Sequence, residues 1–214
     1  GKCVVGVRAP DPGRIAVTSP PPRYLLVLAL ALPCLAFAAP NLTFEVQGLE
    51  GEPQRNVLAF LGQPPETPQE RLNFVVSARD RVERGLKAVG YYRPEIQLEV
   101  SRNEPVWHMD IRVQRGEPVR IRNISLQLIG EAADDSEFTR LLRETTLVSG
   151  DVLHHGRFES FRNGMLTLGQ QRGYLDGKFV VSRVEVEAEA GRADITLHYA
   201  SGIRYRFGEV RHNE

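Results

Sequence analysis

Few residues of this 214-residue chain stand at spacings that catalysis or metal binding uses. His154-His155 is the one histidine pair. Adjacent side chains diverge on a helix or a strand, and no third ligand sits at metal spacing, so the pair reads as part of a solvated loop. Glu185, Glu187 and Glu189 alternate along one strand face. They could act as an acid–base constellation, but they lack a partner group and read as a solvent-facing row. No Gly-x-Ser-x-Gly elbow, phosphate loop or dinucleotide fingerprint occurs. Asn41-Leu-Thr and Asn123-Ile-Ser match the glycosylation pattern, which has no meaning in a bacterial host. The expectation is a protein without catalytic residues, metal or cofactor. The chemistry left to it is that of the main chain, the unpaired N–H and C=O groups along a strand edge.

Composition agrees with a binding module. Basic and acidic residues number 27 each, a net charge of zero, and no global field argues for nucleic acid or a membrane surface. Residues 1–38 read as something other than fold. Arg23 precedes an apolar run from Tyr24 to Leu35, and Ala36-Phe37-Ala38 has the small-x-small form of a signal-peptidase site. The run is too short to span a bilayer as a mature anchor. A buried core helix is the rival reading. The Leu-Pro before Cys34 does not suit lipidation, and a start at Val17 would leave residues 1–16 untranslated. Cys3 and Cys34 both lie in this segment, so a mature chain would have no thiol. Without Lys2, Arg8, Arg14, Arg23 and Asp11, 23 basic and 26 acidic residues remain, a net charge of −3.

The elements that must carry any site repeat. Leu72, Val75, Ala78, Val82, Leu86 and Val89 recur at steps of three and four, an apolar stripe on a helix from about Gln69 to Val89. Gly90 can take the left-handed conformation that ends a helix, with Tyr91 folding back on the last turn. Pro94 stops the helix from resuming, and Ile96, Leu98 and Val100 alternate as a half-buried strand. The pattern returns without a gap. Val75, Ala78 and Val82 fall on Phe158, Phe161 and Met165, and Gly90-Tyr91 falls on Gly173-Tyr174. The match is imperfect, since Leu86 meets Gly169 and Val89 meets Arg172.

Around each long helix the same parts recur. Leu42 to Gly48 and Ile124 to Gly130 are alternating strands that end at a glycine. Short helices follow, with Val57, Phe60 and Leu61 in one and Phe138, Leu141 and Leu142 in the other, the latter capped by Asp134-Asp135. Trp107, Met109, Ile111 and Val113 share one face of a later strand, and strands near 178–186 and 193–199 answer in the second copy. Gly202-Ile-Arg-Tyr205-Arg-Phe207 repeats Gly116-Glu-Pro-Val119-Arg-Ile121. The apolar series steps by three from Ile121 to Ile124 and from Phe207 to Val210, as an extra residue inserted in a strand would make it do. Neither helix of a unit can bury its stripe alone, so both must pack on one face of a small mixed sheet. The expectation is an α+β fold of tandem β-α-α-β-β domains, 39–115 and 116–202, with 203–214 as the first strand of a third. Little linker separates the units, which restricts hinge motion.

This organisation resembles the polypeptide-transport-associated (POTRA) repeat, and most closely the POTRA region of TamA-like subunits of the translocation and assembly module. The resemblance rests on Gly85-Leu-Lys-Ala-Val-Gly-Tyr-Tyr-Arg-Pro94, Arg172-Gly-Tyr174 and Gly202-Ile-Arg-Tyr-Arg-Phe-Gly208. It implies a periplasmic location behind an export signal, ahead of an outer-membrane β-barrel in a Gram-negative bacterium. It implies a scaffold for β-barrel assembly and autotransporter translocation, without nucleic acid. The partners it implies are a TamB-type inner-membrane-anchored protein and unfolded outer-membrane or autotransporter clients. A two-partner secretion transporter shares the architecture, and a soluble periplasmic enzyme is the remote alternative. The family pattern makes the strand after each long helix an edge, where an extended client can add as a further strand. The candidate docking positions are Gln97, Glu99 and Arg102 in the first unit, and Ser182 and Arg183 in the second. Ile96, Leu98, Val100, Phe179, Val181 and Val184 would point inward and fill the cores, while Tyr91 and Tyr92 would staple helix to sheet.

Overall fold

The computed structural model describes residues 41–206 and 208. The proposed signal peptide lies outside the described residues, as does most of the strand expected at 203–214. Residues 203–206 belong to no helix or strand.

In chain order the elements are β1 (Leu42–Gln47), α1 (Gly51–Leu61), α2 (Pro68–Ala88), β2 (Glu95–Ser101), β3 (Trp107–Gln114) and β4 (Arg120–Ile129). A 3₁₀ turn (Glu131–Asp134) leads to α3 (Ser136–Arg143), α4 (His155–Arg172), β5 (Lys178–Glu187) and β6 (Arg192–Ala200). They form two three-stranded mixed sheets, β1-β3-β2 and β4-β6-β5. In each, the last strand lies in the centre, parallel to the first and antiparallel to the second. A hairpin joins the last two strands, and the two helices carry the chain over from the first. The fold is α+β, two POTRA-like β-α-α-β-β units in tandem.

Each sheet has its own core. The first holds Leu42, Val57, Leu61, Ala78, Val82, Leu86, Met109 and Ile111. The second is built round Phe138, Leu153, Met165, Ile195, Leu197 and Tyr199. α2 starts at a capping box, where Thr67 Oγ1 accepts from the Glu70 N–H and Glu70 Oε2 accepts from the Thr67 N–H, both at 3.2 Å. Pro68 fits the first turn because its missing N–H would have no helical partner.

The apolar stripe of α2 differs from the expected one in two places. Leu72 is exposed, and Phe74 takes the buried position, stacked on Phe44 with 5.1 Å between ring centroids. Gly85 was not in the stripe, yet α1 presses on it: a Cβ there would lie 3.0 Å from Val57 Cα. Asn56 Nδ2 donates to the Gly85 carbonyl at 2.5 Å, which ties α1 to α2. Phe60, expected inside, is 40% exposed because Val57 and Leu61 already fill the contact. Arg71 is buried instead, its guanidinium 4.1 Å over the Trp107 ring, so its apolar stem and flat head serve as core.

Two register shifts interrupt the second sheet, one between Ile121 and Asn123 in β4 and one between Phe179 and Val181 in β5. The first is the insertion expected from the three-residue step. The second has no such signal. Among the described residues no helix is long and apolar enough to cross a membrane.

Candidate docking edges and the joint between units

β2 and β5 each pair on one side only, and each flanks its sheet. Along β2 the faces alternate without interruption. Ile96, Leu98 and Val100 stand beside Val113, Ile111 and Met109 on the helix side. Gln97 and Glu99 stand beside Arg112 and Asp110 on the open side and are exposed. Arg112 Nη1 reaches Glu99 Oε1 at 2.8 Å. Gln97 lines a shallow hollow of about 280 Å³ with Gln47, Glu95 and Arg112. Arg102 lies one residue past the strand, with its guanidinium 5.2 Å over the Trp107 ring.

The shift after Phe179 changes β5. Val181 pairs with His198 on the open face, while Ser182 pairs with Leu197 on the helix face. Val181, expected inward, therefore points away from the core, and Phe179, Val184 and Val186 pack against it. Ser182 and Arg183 are both exposed but lie on opposite faces, so they are not equivalent to Gln97 and Glu99. Val180, the extra residue, is 52% exposed. The glutamate row is also not free of partners. Glu187 receives Arg122 at 3.1 Å and Arg192 at 3.0 Å, and Glu189 sits in the β5–β6 turn.

Both Gly-Tyr turns close their helices alike. Gly90 N–H donates to Lys87 O (3.1 Å) and Tyr91 N–H to Leu86 O (2.9 Å), with Gly90 at φ +92°. Gly173 N–H donates to Gln170 O (3.1 Å) and Tyr174 N–H to Gly169 O (2.8 Å), with Gly173 at φ +88°. This is the paired bonding of a Schellman ending. Tyr91 packs against the first core and Tyr174 is buried in the second. Tyr174 also donates its hydroxyl to Asp135 Oδ2 at 3.2 Å. Asp135 caps α3 through the Glu137 N–H and takes two bonds from Arg172, at 3.0 and 3.1 Å. Burial alone would raise its pKa, but the Arg172 guanidinium, the Glu137 N–H and the Tyr174 hydroxyl hold the carboxyl below the usual range.

The carbonyls of the two turn glycines do a second job that helix-ending rules do not foretell. Gly90 O accepts from Val119 N–H at 2.8 Å, and Gly173 O accepts from Tyr205 N–H at 2.8 Å. Val119 and Tyr205 are the repeat-equivalent residues on which the chain leaves one unit and enters the next sequence block. A Cβ on Gly90 would lie 2.5 Å from Leu153 O and 2.8 Å from Val152 Cγ1, and one on Gly173 would lie 2.6 Å from Tyr205 O.

The histidine pair belongs to this joint, not to a solvated loop. His154 Nδ1 caps α4 by accepting the Arg157 N–H at 3.2 Å, which leaves Nε2–H to donate to Glu52 Oε1 of α1 at 3.0 Å. His155 Nε2 lies 2.5 Å from the Tyr92 hydroxyl. Tyr92 thus packs against the second core and joins the units, rather than stapling its own helix to its own sheet. Glu52, Val89, Tyr91, Arg120, Val152, His154 and Arg157 line a cleft of about 340 Å³ beside these contacts.

One further cluster escaped the linear reading. Parallel pairing sets Glu45 beside Asp110, and His108 is two residues along on the same open face. Their donor atoms lie within 4.8 Å of one another, and Thr43 Oγ1 is 2.9 Å from His108 Nδ1. The trio is solvent-open, and Glu45 is exposed.

Residues 43–115 match the family model described as POTRA domain, TamA domain 1. This segment is similar to a POTRA domain of the TamA type. It spans the first sheet with α1 and α2, and the second sheet has the same strand order and helix placement. Among solved structures, the third to fifth POTRA domains of BamA from Haemophilus influenzae align at 16% identity over 77% of this chain and 66% of that one, TM-score 0.45. BamA from Haemophilus ducreyi lacking POTRA domains 1–3 aligns at 16% identity over 75% and 28%, TM-score 0.39. The first two POTRA domains of Omp85 from Anabaena align at 15% identity over 78% and 96%, TM-score 0.37. The chain spans slightly less than two thirds of the first of these structures and little more than a quarter of the second.

Proposed function

We propose that this chain is the periplasmic docking region of a TamA-like outer-membrane assembly factor, exported by a signal peptide within residues 1–38 and continued by a β-barrel. The TamA-type POTRA match over residues 43–115 carries the reading. In it, the units act as a scaffold without catalysis. They receive a TamB-type inner-membrane-anchored protein, unfolded outer-membrane or autotransporter clients, or both.

Docking is by strand addition at β2 and β5. An edge strand presents unpaired main-chain groups, and pairing through them is nearly blind to client side chains, which suits a varied set of clients. The edge placement of both strands supports this. The polar open face of β2 supports it too, because Gln97 and Glu99 leave the edge soluble while no client is bound.

Site-specific photo-crosslinking of the full-length protein in living cells tests the proposal. Probes at Gln97, Glu99, Arg102, Ser182 and Arg183 are compared with one at Arg84 on the exposed face of α2. Adducts to an envelope-spanning partner or to barrel precursors from the strand positions alone are the expected result. Because Ser182 and Arg183 point to opposite faces, a client paired along β5 should be caught from both. Equal adducts from Arg84, or none from either strand, would leave the units as spacers.

A further inference from the structure

The joint between the two units places titratable groups where neither core needs them. Tyr92, on the loop after α2, meets His155 at the start of α4. Beside it, Glu52 of α1 meets His154. The other charged groups facing the joint are Arg120 of β4, Asp151 of the loop before α4, and Arg157 and Glu159 of α4 itself. Backbone contact runs through the same place, from Val119 N–H to Gly90 O and from Leu153 N–H to Val119 O (2.9 Å).

We propose that Tyr92 and His155 form an acid-sensitive latch that holds the two units together while the imidazole is neutral and loosens the joint when it is protonated. In the neutral form the Tyr92 hydroxyl donates to Nε2. Protonation turns Nε2 into a donor and places a cation in a half-buried contact between units. Glu52, the first-unit carboxylate at the joint, bonds to His154, and among the described residues the charges that act on His155 are those of His154 and Glu159. Glu159, on the same helix, is the one nearby acid that favours the charged form, and it does not outweigh burial. Burial, with the neighbouring His154, pushes the His155 pKa below its ordinary value.

The sign follows from linkage. An opened joint returns His155 to water and to an ordinary pKa near 6.5. The open form then binds more protons than the closed one, so closure is complete above about pH 6.5 and weakens as pH falls below it. The opening equilibrium rises by up to about tenfold per pH unit until the depressed pKa of the closed form is reached. His154 is not the switch in this account. Its Nδ1 accepts the Arg157 N–H of the helix cap and its Nε2–H donates to Glu52 Oε1, so both nitrogens are already engaged away from Tyr92.

Hydrogen exchange on the whole chain between pH 8 and pH 5, corrected for intrinsic rates, tests the latch. The Val119 amide reports the joint, and the Leu197 amide in the central strand of the second sheet reports the fold. Protection of Val119 relative to Leu197 should fall below about pH 6.5 in the parent chain and stay level in His155→Gln. Tyr92→Phe should start lower at pH 8 and keep the acid-dependent fall, and Glu52→Gln should also keep it. A level ratio in the parent chain overturns the proposal. So does an undiminished fall in His155→Gln, or a Tyr92→Phe profile that superimposes on the parent. Loss of the fall in Glu52→Gln would move the switch to His154 and overturn the assignment to His155.

Discussion

Replacing Gly90 with alanine separates the two tasks of the turn between α2 and β2. The first cost is local. At φ +92° an L side chain is strained, at about 1–2 kcal/mol for the left-handed conformation. Gly150 measures that cost alone, since it has the same φ of +92° and nothing within 4 Å of where its Cβ would stand. The second cost exists only while the units are in contact. The added carbon would sit 2.5 Å from Leu153 O and 2.8 Å from Val152 Cγ1. The first obstacle is backbone, so relief requires the second unit to move away and stretch the 2.8 Å bond from Val119 N–H to Gly90 O. That bond is worth about 0.5–1.5 kcal/mol, so opening of the joint should rise by about two- to twelvefold in addition to the strain. Thermal denaturation should show Gly150→Ala and Gly90→Ala both lowered, each kilocalorie being worth about 4–8 °C for a domain of this size. Protection of the Val119 amide from hydrogen exchange should fall in Gly90→Ala alone. Equal loss of stability in both variants, with Val119 protection unchanged in Gly90→Ala, would refute the claim that the glycine is required by the neighbouring unit.

Asp135→Ala removes a helix cap and strands Arg172 and Tyr174 at once, and should destabilise the second unit by about 2–4 kcal/mol in urea denaturation, toward the low end because Arg172 is one-third exposed. The folded carboxyl has a depressed pKa, so its contribution is complete above about pH 4 and is lost as pH falls through the folded value; the parent and the variant should therefore converge in acid. On α2, Ala78→Leu should cost about 1–3 kcal/mol by overfilling a fully buried site, whereas Val76→Lys, at an 85% exposed position, should change stability by less than about 0.5 kcal/mol.

Much of the fold could be read from spacing, because its signals are local. The Gly-Tyr turns, the alternation in β3 and the insertion after Ile121 all act within a few residues of their cause. The misplaced residues have non-local causes. Leu72 has the right period for the α2 stripe, yet the bulk of Phe74 against Phe44 rotates the buried face toward it. The shift in β5 falls inside Phe179-Val-Val-Ser, where two valines hide which one is extra. His155 and His154 looked idle because their partners lie 63 and 102 positions away. Of the candidate docking positions, the edge placement followed from the family pattern, but the facing of Ser182 depended on a bulge that alternation could not place.

That bulge also sets a length. Regular pairing along β5 runs from Val181 to Glu187, seven residues, and β2 offers seven from Glu95 to Ser101. If clients pair with these edges, each edge is a template of roughly 24 Å, too short for one added strand to hold for long. Two such weak grips on one chain behave as a bivalent tether. A client with two free segments released from one edge stays at high effective concentration near the other, and lets go fully only when both detach. The angle between the units would then decide which clients can span both grips, so that residence time is governed at the joint rather than at either edge.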